Sequence, residues 1–205
     1  MQPSRSLPSD YRLTYSFDLK NRKRLILVNF IGLGMFFLFA WLFFLLLRWL
    51  RPDDLAGLTG VFKTTFTSLK DLLPLFAIII SMILMVILHE GLHGIFFWLF
   101  TREKPVFALR LAYAYAGAPD WYLPRNQFLV TALAPLIGIS LLGTVLMAVL
   151  PPSLLLPTYI FMVVNANGST ADIWVAVKLL LHPRTCLAND RGDSFTLYSP
   201  ASPQG

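Results

Sequence analysis

The sequence predicts an all-α polytopic membrane protein with about four transmembrane helices and a small cytoplasmic β-hairpin between the second and third. Three observations carry that prediction. Four apolar runs, Leu25–Trp49, Leu72–Phe100, Phe128–Leu150 and Leu154–Leu181, are each long enough to cross a hydrocarbon core of about 30 Å at about 1.5 Å per residue. Only 14% of the residues are charged while 56% are hydrophobic, with a mean hydropathy of +0.64, whereas soluble domains carry about 25% charged residues. The cations, finally, are concentrated in alternate loops. The 205 residues leave room for one membrane domain over 25–181, flanked by an N-terminal tail (1–24) and a C-terminal tail (182–205).

The first run follows the basic stretch Lys20–Arg24. It exceeds the usual signal-peptide core of about 7 to 15 residues, and the WLRPDD that follows offers no small-residue cleavage site, so it reads as an anchor. Beyond it, Leu55, Leu58, Phe62, Phe66 and Leu69 recur at helical spacing and predict a short helix lying on the membrane surface, although Gly57 and Gly60 weaken it. After the second run the rhythm changes. Phe107, Leu109, Leu111, Tyr113 and Tyr115 alternate over Val106–Ala116, which predicts a strand; Gly117–Asp120 (GAPD) gives a turn, and Trp121–Leu123 returns as its partner. Pro151 and Pro152 separate the last two runs as a tight turn, since neither can donate a helical hydrogen bond.

Arg5, Arg12, Lys20, Arg22, Lys23, Arg24, Arg102, Lys104, Arg110, Arg125, Lys178, Arg184 and Arg191 fall on one side of this topology, leaving Arg48, Arg51, Lys63 and Lys70 for the other. Cytoplasmic loops carry the excess of cations, so both termini are expected in the cytoplasm, in the plasma membrane of a multi-pass protein. The net charge of +6 and pI near 9.7 therefore read as topology signals and not as a nucleic-acid surface. One cysteine, Cys186, excludes an internal disulfide framework.

Ionisable groups within a membrane span are costly and point to a polar cavity or a partner. Away from the ends of the four runs there are only His89, Glu90, His93 and Asp172. His89 and His93 stand four apart, so a helix places both rings on one face, where they can chelate one ion. The sequence His89–His93, HEGLH, is the HExxH arrangement, in which the acid is not a ligand but accepts a proton from the water that zinc acidifies. A third protein ligand is required, and Asp172 is the intramembrane candidate at matching depth. Asp172 has a plainer reading too: Ser169–Asp172 (STAD) forms a capping box for a helix restarting after Asn167 and Gly168. Asn165, seven residues earlier, lies two turns back on the same face and is the candidate for holding a substrate carbonyl; ordinary interhelical hydrogen bonding is the alternative. His182, beside Pro183, suits a helix C-terminus better than a metal.

HEGLHGIFF, a strand-like KPVFALRLAYAYA, RNQF with LAP, and NANGSTADIW together resemble the site-2 protease type of intramembrane zinc metalloprotease. Over about residues 72–198 the chain is most similar to a small family of membrane zincin peptidases that carries a domain-of-unknown-function label. The resemblance implies Zn2+ held by His89, His93 and Asp172, with Glu90 as the base. Site-2 proteases usually set their aspartate before a glycine, whereas Asp172 stands in STADIW. The expected activity is hydrolysis of peptide bonds in a membrane-associated protein or peptide substrate, with the strand at Val106–Ala116 pairing with unwound substrate. The alternative is a metal-binding membrane adaptor or metal carrier that uses the same ligands without hydrolysis.

Overall fold

The computed structural model describes residues 1–18, 21–55, 72–109, 114–192 and 194–201. In chain order the elements are β1 (Tyr11–Asp18), α1 (Arg22–Leu50), α2 (Leu73–Thr101), β2 (Val106–Leu109), β3 (Ala114–Gly117), β4 (Leu123–Pro124), α3 (Arg125–Val149), α4 (Leu155–Gly168), α5 (Thr170–Leu180), β5 (Leu187–Asp190) and β6 (Ser194–Pro200), with short 3-10 turns at Pro52–Asp54 and Pro152–Leu154. The helices coincide with the four apolar runs to within a few residues. α1, α2 and α3 are long and apolar enough to cross a membrane, and the bent pair formed by α5 and the helical segment before it would count as a fourth span.

Local chemistry explains where the helices begin and end. Asn21 caps α1, its Oδ1 accepting from the backbone N–H groups of Lys23 (3.0 Å) and Arg24 (3.3 Å). Pro52 disfavours helix at the residue before it, so α1 stops at Leu50. Pro74 sits in the first turn of α2, where a missing N–H costs nothing. α4 ends at Gly168 and α5 begins at Thr170, the break expected from Asn167 and Gly168. Along α1 and α2 the apolar residues point in all directions, and Phe30, Trp41, Ile79, Ile83 and Ile87 are among those left exposed. A helix that is apolar all round is either buried or faces lipid.

The chain divides into two compact units. The first comprises 1–30, 90–135 and 169–205. Its scaffold is a four-stranded antiparallel sheet in the order β1-β6-β5-β4. Along β6 the side chains alternate, with Phe195, Leu197 and Ser199 buried. The core of this unit joins Phe17, Leu123, Leu197 and Phe195 of the sheet to Phe97 of α2, Phe128 and Ala132 of α3, and Val175 and Leu179 of α5. Phe128 links the layers, its ring 6.0 Å from Phe97 and 5.1 Å from Phe195.

The second unit comprises 31–89 and 136–168. There the Arg51 guanidinium donates to the carbonyls of Met147, Ala148 and Leu150 at the end of α3, and its Nε donates to Asp54, which satisfies acceptors that the helix itself cannot. The Tyr159 hydroxyl donates to the Ala40 carbonyl at 2.7 Å. Gly143 lets Met162 lie close, since a Cβ there would fall 2.3 Å from the Met162 Cγ.

Two expectations need correction. The protein is mostly helical but not all-α: the stretches 1–24 and 182–205, expected as tails, supply β1, β5 and β6. The strand expected over Val106–Ala116 is instead two strands that pair with one another, Val106 opposite Gly117 and Leu109 opposite Ala114. The expected return strand therefore has another partner, with Leu123 and Pro124 pairing with Ala188 and Leu187. Residues 110–113 lie outside the described residues, as does the expected surface helix beyond Leu55.

Candidate metal centre

His89 and His93 are one turn apart on α2 and both are buried. Helix geometry alone puts their rings on one face. Gly94 follows immediately. A Cβ at Gly94 would lie 2.3 Å from the Cζ of Phe107, so the glycine is what allows β2 to rest its aromatic ring against the histidine-bearing helix.

Asp172 lies in the first turn of α5, and the break at Ser169 sets where that turn begins. Ser169 makes no side-chain capping bond to the helix. The Asp172 Oδ1 lies 3.5 Å from the Nε2 of His93. The other nitrogen of His93, Nδ1, lies 2.9 Å from the backbone carbonyl of Thr131 on α3. A carbonyl can only accept, so Nδ1 carries a proton, and Nε2 is the ring nitrogen that faces Asp172. On the other ring, the Nδ1 of His89 lies 3.0 Å from the Asn165 Oδ1, leaving Nε2 as the donor atom for a metal. Asn165, expected as a substrate contact, is thus placed beside a ligand histidine.

His89, His93 and Asp172 each offer one ligand atom, and these atoms lie within 4.8 Å of one another. Two imidazoles and a carboxylate suit zinc. With zinc bonds of about 2.0–2.1 Å, adjacent ligand atoms of a tetrahedron stand roughly 3.3–3.4 Å apart, and the separation between His93 and Asp172 is close to that edge. Both imidazoles also have an oxygen acceptor behind them, the usual support of a histidine ligand. The donor set therefore suits a zinc ion, and three protein ligands are the number that catalytic zinc sites use when a fourth position is left for water or substrate.

Glu90 is partly exposed, next to His89 on α2. A third acid, Asp190, is not apparent from the sequence because it sits in a polar stretch that reads as a tail. It ends β5, and its Oδ1 accepts from the backbone N–H of Gly192 at 2.6 Å. Burial pushes its carboxyl up to about 7; the Gly192 N–H and the charge of His93 hold it down, while Asp172 and Glu90 push it further up. Asp190 thus lies within electrostatic reach of the centre. The turn chemistry of Asn189–Gly192 is the signal that could have placed it on a hairpin. Gly192 has φ +87 and lies against the Tyr115 ring of β3, which leaves no room for a side chain. His182, by contrast, is a helix-terminus histidine whose Nδ1 lies 2.7 Å from the Lys178 carbonyl. Cys186 is buried, which raises its thiol above the ordinary range.

These features suit a protein class that could hold a metal ion through a helix-borne histidine pair. Residues 82–187, just over half of the chain, match the family described as "Putative zincin peptidase", and the chain belongs to that family. The matched segment contains His89, Glu90, His93, Asn165 and Asp172. No curated protein and no solved structure matched the chain.

Proposed function

We propose that the protein is an intramembrane zinc metalloprotease of the site-2 protease type, cutting peptide bonds of membrane-associated substrates. The observation that carries the reading is the convergence of His89 and His93, on a long apolar helix, with Asp172 on the bent helix pair, and the place of Glu90 between the histidines in sequence. Such groups are expensive in lipid and are kept there for chemistry.

His89, His93 and Asp172 would hold the ion. Bound zinc supplies Lewis acidity, lowering the pKa of a water to about 7 and polarising a carbonyl oxygen. Glu90 would serve as the general base towards the attacking water and would return that proton to the departing amine. Asn165 serves twice in this reading: its oxygen orients His89, and its Nδ2 is assigned to the substrate carbonyl. A substrate helix hides its peptide bonds, so an extended segment must be presented. The edge of β2 away from β3 suits such a segment, because the two strands form their own sheet, Val106, Phe107 and Leu109 are exposed, and Phe107 rests on Gly94 beside the centre. Both termini are assigned to the cytoplasm on the distribution of cations.

The test is Glu90→Gln, measured for bound zinc and for cleavage of a membrane-embedded peptide library. Glutamine keeps the size and the hydrogen bonding but cannot accept a proton at neutral pH. The expected result is full zinc content with turnover lowered by about 10²- to 10⁴-fold. Undiminished cleavage would remove Glu90 as the base. A wild type that holds zinc and cleaves nothing would favour a metal-binding adaptor.

A further inference from the structure

Pro135 interrupts α3 in a position that ordinary helix chemistry disfavours. The helix runs from Arg125 to Val149 with this proline inside it, and an internal proline costs about 3 kcal/mol against alanine. Proline has no N–H, so the carbonyl four residues earlier loses its helical donor. That carbonyl belongs to Thr131, which is 1% exposed. A buried carbonyl deprived of its donor is a substantial penalty unless another group fills the place. The group found there is the Nδ1 of His93, at 2.9 Å. The Thr131 hydroxyl donates to the Gln127 carbonyl, so it does not compete for the Thr131 oxygen.

We infer that Pro135 is a positioning residue for the metal centre: by withholding an N–H from Thr131 it reserves that carbonyl for His93, which fixes the proton on Nδ1 and aims Nε2 at the ion. This rests on the zinc reading above only for its last step. The proton on Nδ1 follows from the carbonyl alone, since an oxygen without a hydrogen can accept a hydrogen bond but not donate one. An N–H at position 135 would share the Thr131 oxygen along the helix axis. His93 would then lose part of the bond that orients it, and the imidazole would sample other ring rotations. Outer partners of this kind are worth about 10- to 100-fold in metal affinity.

The substitution that tests this is Pro135→Ala. It favours the helix, so loss of folding is not its expected consequence. Three measurements on full-length protein in detergent separate the outcomes: thermal unfolding of the metal-free chain, the proton NMR shift of the His93 Nδ1–H in that same state, which reports its hydrogen bond to the Thr131 carbonyl, and zinc affinity against a competing chelator. The expected result is a melting temperature equal to or above wild type, a weakened hydrogen bond at the His93 Nδ1–H, and zinc binding weaker by about tenfold or more. Gain of helix stability with loss of metal affinity is a pair of signs that general damage to the fold does not produce. An unchanged Nδ1–H shift with unchanged affinity overturns the inference. If wild type itself binds no zinc, the protease reading fails, while the Nδ1–H shift of the metal-free chains still decides the role of Pro135: the same shift in both refutes it.

Discussion

Phe195→Ala distinguishes a packed C-terminal strand from a solvated tail. Phe195 is 4% exposed on β6, opposite Phe17 on β1, with the Phe128 ring of α3 5.1 Å away. Truncation removes the ring from a site enclosed on both sides. Phe→Ala changes of this kind cost about 3–5 kcal/mol, through lost contacts and the cavity left behind. For a chain of this size each kcal/mol lowers the melting temperature by about 2–4 °C, so the expected drop is on the order of 10 °C. Thr196→Ala is the matched control. As the next residue of the strand it points the other way and is only partly buried, and its hydrogen bond to the Asn189 carbonyl is long at 3.5 Å. That variant should stay within about 0.5 kcal/mol of wild type. Thermal unfolding in detergent, followed by aromatic circular dichroism, reads both. If Phe195→Ala melts where Thr196→Ala does, the sheet is not part of the core.

Removing the third ligand through Asp172→Ala should lower zinc affinity by at least about tenfold in a chelator competition, because two histidines alone do not complete a catalytic zinc site; unchanged affinity would return Asp172 to a purely structural role. Asp190 gives a pH signature. Its folded carboxyl titrates at about 7 against an ordinary 3.8, so between those values the folded chain holds a proton that the unfolded chain has released. Stability of the metal-free protein should therefore fall as pH rises from about 4 to about 7, by an amount on the order of a few kcal/mol. Asp190→Asn should flatten that slope in melting curves recorded across the window, and an identical slope in both proteins would show that Asp190 is not the group responsible.

The helices are legible in the sequence because they rest on local signals. Apolar runs of the right length, Asn21 at a cap, Pro52 and the Pro151–Pro152 pair at ends, and Gly168 at a break each act within a few residues. The metal centre is legible for a similar reason, since His89 and His93 lie on one turn, and charge in an apolar run is conspicuous. The sheet is not, because its strands join residues nearly 190 positions apart, as in the pairing of Tyr11 with Pro200. Period-two alternation is visible in Tyr15–Phe17 and Phe195–Leu197, but short polar strands at both ends of a chain read equally well as tails. β2 and β3 read as one strand because the period-two alternation of Phe107, Leu109, Leu111, Tyr113 and Tyr115 in the sequence runs on without a break. The groups behind the ligands are the least accessible. Asn165 behind His89 needs the tertiary fold to be seen, and so does the Thr131 carbonyl behind His93; Pro135 in the RNQF-to-LAP segment is the one local sign that a helical carbonyl has been released.

The central claim is that His89, His93 and Asp172 hold one catalytic zinc ion, and metal analysis of the purified protein tests it most directly. Wild type, His93→Ala and Glu90→Gln would be purified in parallel without added metal and assayed by mass spectrometry of their elemental content, with the unfolding temperature recorded to confirm that each is folded. The account predicts about one zinc per chain in wild type and in Glu90→Gln, and close to none in His93→Ala, because removing a ligand empties the site whereas removing the base does not. Zinc retained by folded His93→Ala, or absent from a folded wild type that fails to take it up on titration, would contradict it.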